Sequence, residues 1–275
     1  MVHPSGPWYG SDVSVIDTHS HLLPGIDDGA ATLEESVTLA REAATAGVRE
    51  IVCTPHLRLP DDPSASRAAD VLLEVQAALD ANGIPIRLHL GYELAFSFAA
   101  TLERDELARY TMGATSSAIL VEIPHQGWPP MAKEAVHRWR LNGFLPVLAH
   151  PERCDRAQRD PALVESLLRL GAVAQGTIPS LMGTFGPGSR RLLLRLLAEG
   201  ALSMVASDAH YGRTGVRDLW TGAQQLLWYA PGADIRMLTQ DNPARLLRGE
   251  PLSAPQPVRV LRVWEKYLRR YSRGR

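Results

Sequence analysis

Val13-Ser14-Val15-Ile16-Asp17-Thr18-His19-Ser20-His21 decides the fold: an apolar run that ends in two histidines one residue apart. Two later stretches repeat the design. Leu145-Pro146-Val147-Leu148-Ala149 leads into His150-Pro151-Glu152-Arg153, and Leu202-Ser203-Met204-Val205-Ala206 leads into Ser207-Asp208-Ala209-His210. Short apolar runs of this kind read as strands buried on both faces. Chemistry-bearing side chains just past strand ends are how a β/α barrel assembles a site at its C-terminal face.

The rest of the chain keeps the alternation. Strand-like segments are expected at 13–17, 50–54, 86–92, 118–123, 145–149, 172–175 and 202–206. Helices are expected from an N-cap at Thr32 to Gly47, at 66–81 before Asn82-Gly83, at 130–141 before Asn142-Gly143, at 161–170 before Gly171, and at 188–199 before Gly200. Caps and glycine stops of this kind mark helix ends. Strands and helices at this spacing form right-handed βαβ units on a parallel sheet. Seven strands with polar residues recurring after them predict a closed or nearly closed barrel, and 275 residues suit one such domain. Residues 1–12, rich in Pro, Gly and Ser, read as a flexible lead-in, and 13–250 as the barrel. Residues 251–275 read as a basic tail. Three prolines in 251–257 precede an amphipathic helix over about 258–271, expected to pack on the barrel with a solvated face.

Composition narrows the partners. A net charge of −1 gives no reason to expect nucleic acid or an anionic membrane surface. Two cysteines, Cys53 and Cys154, make no disulfide framework, so a reducing cytoplasm is expected. No apolar run approaches the roughly 20 residues of a membrane span, and no signal-like leader is evident. Oligomeric state is left open.

The chemistry follows from what stands after each strand. His19 and His21 are followed by Asp27-Asp28-Gly29; then come Thr54-Pro55-His56, Gly91-Tyr92-Glu93, Glu122, His150 with Arg153, and Asp208 with His210. A lone histidine beside a strand is usually a surface or hydrogen-bonded residue. His3, His89, His125 and His137 are read that way, His125 being nearest the site. A lone Asp-Asp-Gly is usually a turn. Gathered at one end of one barrel, the others read as a metal site. Imidazole and carboxylate donors without thiolate suit Mn, Fe or Zn rather than a structural cysteine-bound zinc.

Taken together, His19-x-His21-x-Leu23-Pro24-x-x-Asp27-Asp28-Gly29, Thr54-Pro55-His56, Glu93, Val121-Glu122-x-Pro124, His150-Pro151-Glu152-Arg153, Ser180-Leu181-x-Gly183, Ser207-Asp208-Ala209-His210 and Asn242-Pro243 resemble the PHP (polymerase and histidinol phosphatase) superfamily. Within it they are similar to the bacterial manganese-dependent tyrosine-protein phosphatases of capsule and exopolysaccharide operons, the CpsB/YwqE type. The likeness covers residues 13 to 248. It implies an α/β fold, a distorted (β/α)7 TIM-like barrel, with three divalent ions, manganese before iron or zinc. His19, His21, Glu93 and Asp208 would hold one ion. Glu93 would bridge to a second, held by Glu122 and His150. His56 and His210 would hold the third, with Asp27 as the extra ligand. Arg153 would grip phosphate, and Arg213 and Arg217 flank the place of a further family arginine. The implied reaction is hydrolysis of phosphotyrosine on a protein, a tyrosine autokinase of polysaccharide biosynthesis, by hydroxide generated on the metals. Gly176-Thr177-Ile178-Pro179-Ser180 departs from the more usual residues on the substrate side.

Other readings fare worse. A cysteine phosphatase needs Cys-x5-Arg, but Leu59 and Asp160 stand six residues after Cys53 and Cys154. An amidohydrolase commonly bridges two metals with a strand-end lysine, and the two lysines here are Lys133, in an expected helix, and Lys266, in the tail. A histidinol-phosphate phosphatase shares the metals but is disfavoured by the segment from Leu23 to Gly29 and by Glu122. A nuclease would show a basic channel. A non-catalytic phosphoprotein-binding module would have lost ligands, and none is missing.

Overall fold

The apolar runs form the expected strands, and several run further than the pattern suggests. The structure, a computed structural model, describes residues 14–59, 62–213 and 218–261. In it β1 (Val15–Ser20) extends beyond the expected 13–17, so His19 stands inside the strand. The next strands are β2 (Val48–Cys53), β3 (His56–Leu57), β4 (Arg87–Leu90), β5 (Glu93–Ala95), β6 (Ala118–Glu122) and β7 (Leu145–Ala149). The set ends with β8 (Val173–Thr177) and β9 (Leu202–Ala206). β8 continues two residues past its expected end, which brings Gly176 and Thr177 into the strand.

All pairings are parallel, in the orders β1-β2-β4 and β3-β5-β6-β7-β8-β9. The nine segments make seven staves. β2 and β3 are one stave broken at Thr54-Pro55, where proline has no N–H to give the ladder. β4 and β5 are one stave broken at Gly91-Tyr92. Hydrogen bonds cross both breaks, with Gly91 N donating to Cys53 O at 2.9 Å and Glu93 N to Pro55 O at 3.1 Å. The ring closes between β9 and β1. A Ser20–Ala209 bridge is flanked by Asp208 N donating to His19 O and His21 N to Ala209 O, both at 3.0 Å.

Helices cover the outside. α1 (Leu33–Thr45) starts as expected, with Thr32 Oγ1 accepting from Glu35 N. It is followed by α2 (Pro63–Ala81), α3 (Phe96–Ala99), α4 (Arg104–Leu107), α5 (Ala132–Leu141), α6 (Asp155–Arg159) and α7 (Ala162–Arg169). Next come α8 (Ile178–Met182), α9 (Gly186–Ala198), α10 (Asp218–Tyr229) and α11 (Asn242–Leu247). The main buried cluster lies between staves and helices, from Val15 and Ile51 to Trp139 and Leu193. A smaller one gathers Ile16, Val52, Leu120, Val147 and Met204 from five staves, with Met112 and Leu246 beneath them. It forms the apolar floor of the barrel.

The lead-in lies outside the described residues. The expected tail helix is corrected at its start: residues 258–261 have no regular structure, and Leu261 N instead donates to Tyr229 O. The remainder of that helix lies outside the described residues.

A buried carboxylate clamps the closure. Asp17 accepts from Ser207 N at 3.1 Å, Ser207 Oγ at 2.5 Å and His19 N at 3.3 Å. Burial pushes its pKa up to about 6, held back by the Ser207 and His19 donors. Asp17→Ala strands buried N–H groups, each costing ~1–3 kcal/mol. Urea denaturation is expected to show a loss of about 2–4 kcal/mol, with Asp17→Asn, which keeps one acceptor oxygen, losing less. A loss within ~0.5 kcal/mol of zero, the range of ordinary surface changes, would show that the clamp does not hold the seam.

Candidate metal centre

Every strand-end residue singled out in the sequence converges on one mouth, apart from Arg217, which lies outside the described residues. His19 and His21 present their Nε2 atoms to each other at 3.3 Å. Glu93 Oε2 and Asp208 Oδ1 each stand 3.4 Å from both nitrogens. Glu93 also reaches the other side, with Oε1 2.8 Å from His150 Nε2 and Oε2 2.9 Å from His56 Nδ1. Glu93 is therefore the hub.

The donor atoms sort into overlapping sets, each within 4.8 Å: His19, His21 and Asp208; His19, Glu93 and His150; His56, Glu93 and Glu122; Glu122, His125 and His150; and His21, Asp28, His56 and His210. His125, read from sequence as a bystander, stands with its Nε2 3.4 Å from Glu122 Oε1.

Asp27 takes a different place from the one expected of a third-ion ligand. Its Oδ2 accepts from His21 Nδ1 at 2.6 Å and His56 N at 3.0 Å, and its Oδ1 from Gly29 N at 3.0 Å. Both oxygens are committed to donors, so Asp27 orients His21 instead of joining a donor set. The neighbouring Asp28 does join one, with Oδ1 3.2 Å from His210 Nε2 and 3.5 Å from His56 Nε2. The turn brings this about. Gly29 lies so close to His21 that a Cβ would sit 2.0 Å from the His21 carbonyl oxygen, so the chain folds back tightly and the two aspartates meet different atoms of the histidines.

The electrostatics ask for cations. Burial opposes charging His21, yet Asp208, Asp27 and Glu93 outweigh it and raise its pKa well above the usual imidazole value. Burial likewise opposes protonation of His19, and Glu93 and Asp208 raise it. Burial also opposes ionisation of Glu93 and Asp208, and the surrounding histidines hold both well below the carboxylate range. Asp27 is held down to about 2 against burial, chiefly by His21. Burial and the charge of Glu93 raise Glu122. Protons held on imidazoles by carboxylates occupy the place that divalent ions take in such sites. Glu93 Oε2 and His56 Nδ1 are buried and make no hydrogen bond among the described residues. Two such atoms 2.9 Å apart are costly unless something charged lies between their neighbours. The donor set therefore fits divalent ions.

The backbone is strained here. His150 (φ 31°) and Asp208 (φ 50°) are the non-glycine residues of positive φ among the described residues, and both carry donor atoms. Such conformations cost on the order of 1–3 kcal/mol each and persist where the surroundings over-determine them.

An arginine closes one side. Arg153 Nη1 donates to Asp208 Oδ2 at 2.6 Å, and its guanidinium lies 4.0 Å from the centroid of the Phe185 ring. Arg213, two-thirds exposed, pairs with Asp28 Oδ2 at 3.2 Å.

Comparison with known proteins agrees with this geometry. The family described as capsular polysaccharide synthesis, CpsB/CapC, matches residues 15–248. Tyrosine-protein phosphatase YwqE of Bacillus subtilis is 33% identical over 255 residues, 89% of this chain and 97% of that protein. A putative tyrosine-protein phosphatase, CapC of Staphylococcus aureus, is 27% identical, covering 71% of this chain and 77% of its own. A solved chain from work on YwqE of Bacillus subtilis and CpsB of Streptococcus pneumoniae, described as unique metal-dependent tyrosine phosphatases, superposes with a TM-score of 0.75 at 29% identity. That match covers 89% of this chain and 99% of the other. With nearly the whole barrel matched, the chain belongs to the CpsB/CapC family of capsular polysaccharide synthesis.

Proposed function

We propose that this protein is a metal-dependent protein tyrosine phosphatase acting on a tyrosine autokinase of polysaccharide biosynthesis, in the cytoplasm, with three divalent ions and manganese as the preferred one. One observation carries the reading. Glu93 sits at the centre of a buried ring of imidazoles and carboxylates that demands cations, and Arg153 is fixed at its edge through Asp208. The named activity of the similar proteins supports the substrate. Free, buried Cys53 and Cys154 suit a reducing compartment, and no helix among the described residues is long and apolar enough to cross a membrane.

We assign His19, His21, Glu93 and Asp208 to one ion; Glu93, Glu122 and His150 to a second, with His125 in reach; and His56, His210 and Asp28 to a third. Divalent ions supply Lewis-acid charge there and can lower the pKa of water from 15.7 to about 7. The chain's own groups do the rest. Arg153 offers a planar guanidinium whose remaining N–H groups suit a phosphate bidentately. Asp27 fixes His21 with Nδ1 protonated and Nε2 facing the centre. Burial, with the positive Arg153 nearby, pushes His125 down to about 4, so it is neutral at pH 7 and acts as an acceptor or ligand, not a proton donor. A phenolate leaving group, with pKa about 10, places little demand on a donor, which favours an aryl over an alkyl phosphate ester.

The direct test sets a phosphotyrosine peptide beside histidinol phosphate and a phosphoserine peptide, with Mn²⁺ and after chelation. Hydrolysis of the phosphotyrosine peptide alone, abolished by chelator and restored by Mn²⁺, is expected. Faster turnover of histidinol phosphate would move the substrate class, and no turnover at all would refute the enzyme reading. Metal analysis separates the two aspartates. Asp28→Ala is expected to leave the chain one ion short, whereas Asp27→Ala keeps the ion count and binds roughly 10- to 100-fold more weakly, the usual cost of losing a group that orients a ligand. The reverse pattern would return the ligand role to Asp27. Because the facing carboxylates raise the pKa of His19 and His21, metal binding at neutral pH is expected to release protons and tighten as pH rises. Calorimetry in buffers of different ionisation enthalpy reads this directly, and a proton count of zero would contradict it.

A further inference from the structure

His19 faces the centre with Nε2 and the barrel wall with Nδ1. The wall side is occupied by a chain of uncharged groups. His19 Nδ1 lies 3.0 Å from Gln175 Oε1, in the middle of β8. Gln175 Nε2 donates to Thr18 Oγ1 at 2.9 Å and lies 3.4 Å from the Thr18 carbonyl oxygen. Thr18 Oγ1 in turn donates to Met204 Sδ at 3.8 Å. His19, Gln175 and Thr18 are all fully buried.

The order of donors along this chain is fixed by chemistry. The Thr18 carbonyl can only accept, so the end of Gln175 that faces it is the NH2 group. With the Thr18 hydroxyl proton on the Met204 sulfur, Thr18 Oγ1 also accepts from that NH2. The other end of the amide is then the carbonyl oxygen, and the ring nitrogen facing it carries a proton. That would leave the His19 Nε2 lone pair, beside Glu93 and Asp208, for a cation that takes the place of a proton there. A carboxylate at 175 would be repelled by the Thr18 carbonyl, and an apolar residue would leave the His19 tautomer unfixed.

We propose that Gln175 is a positioning residue for the metal centre, holding His19 in the Nδ1-protonated form through an amide whose orientation Thr18 and Met204 dictate. This rests on the metal-site reading above, and the test keeps the two apart. Divalent-ion affinity is measured by competition with a chromophoric chelator for wild type, Gln175→Leu and Thr18→Val, and the metal-free melting temperature of each is recorded. In the Zn²⁺-loaded protein the His19 Nδ1–H is followed as a slowly exchanging downfield imidazole proton.

Gln175→Leu is expected to lose roughly 10- to 100-fold in affinity together with that proton resonance. Thr18→Val, which keeps the Thr18 carbonyl for Gln175 Nε2, is expected to show a smaller loss in the same direction. Should Gln175→Leu bind as tightly as wild type, or keep the protected proton, Gln175 does not position His19. Equal losses in affinity and metal-free melting temperature for both variants, with the proton retained, would mark a packing role and overturn the proposal. Should wild type itself bind no divalent ion, the metal reading falls first and takes the proposal with it. If Gln175→Leu does not fold, Thr18→Val alone decides: unchanged affinity with an unchanged proton signal overturns the proposal.

Discussion

Glu93 is the contact on which the site depends. Its two oxygens face four imidazoles, His19, His21 and His56 from one and His150 from the other, and the side chain is wholly buried. A buried carboxylate is tolerated when positive charge surrounds it, and here that charge comes from every quarter of the barrel. The fold must bring β1, β3, β5 and β7 to the same height. The breaks in two staves serve this. After Thr54-Pro55 and after Gly91-Tyr92 the chain resumes as β3 and β5 in register, His56 opposite Glu93.

Convergence of like charges carries a cost, and the rest of the structure offsets it locally. Asp27 neutralises His21 from behind, Arg153 does the same for Asp208, and Arg213 for Asp28. Gln175 meets His19 from the other side with an uncharged amide oxygen. Backbone strain at His150 and Asp208 belongs to the same account. Both residues follow their strands with a left-handed step, which breaks the extended run of the stave at the site. Stability is thus given up where metal binding can return it, because an ion that binds only the folded chain stabilises it by mass action.

The sequence made the ligands legible because strand ends leave a simple trace, an apolar run followed by histidine or carboxylate. The alternation of such runs with capped, glycine-stopped segments predicted the barrel and five of its helices. It could not separate Asp27 from Asp28. Adjacent residues in a turn point in different directions, and here the close approach of Gly29 to His21 selects between them. It also gave no sign of the contacts of His125 with Glu122 and of Gln175 with His19; the first lies in the loop after β6 and the second in a strand whose pattern reads as plain core. α8 and α10 left no clear trace either. The first is a single turn entered through Ile178-Pro179, and the second begins beside residues outside those described.

The geometry around Asp208 argues against treating metal binding and phosphate binding as separate functions. One oxygen of this carboxylate stands 3.4 Å from both His19 and His21, and the other accepts from Arg153 at 2.6 Å. Arg153 is held on its flat side by Phe185, so its reach is set by the same carboxylate that stands in the His19 and His21 donor set. Changes at Asp208 therefore act on both tasks. Changes at Arg153 feed back on the ion through the charge left on Asp208. Groups sharing a partner in this way are not additive. In this site Asp208 joins the imidazole cluster to Arg153, and the surrounding histidines hold its carboxyl below the usual carboxylate range.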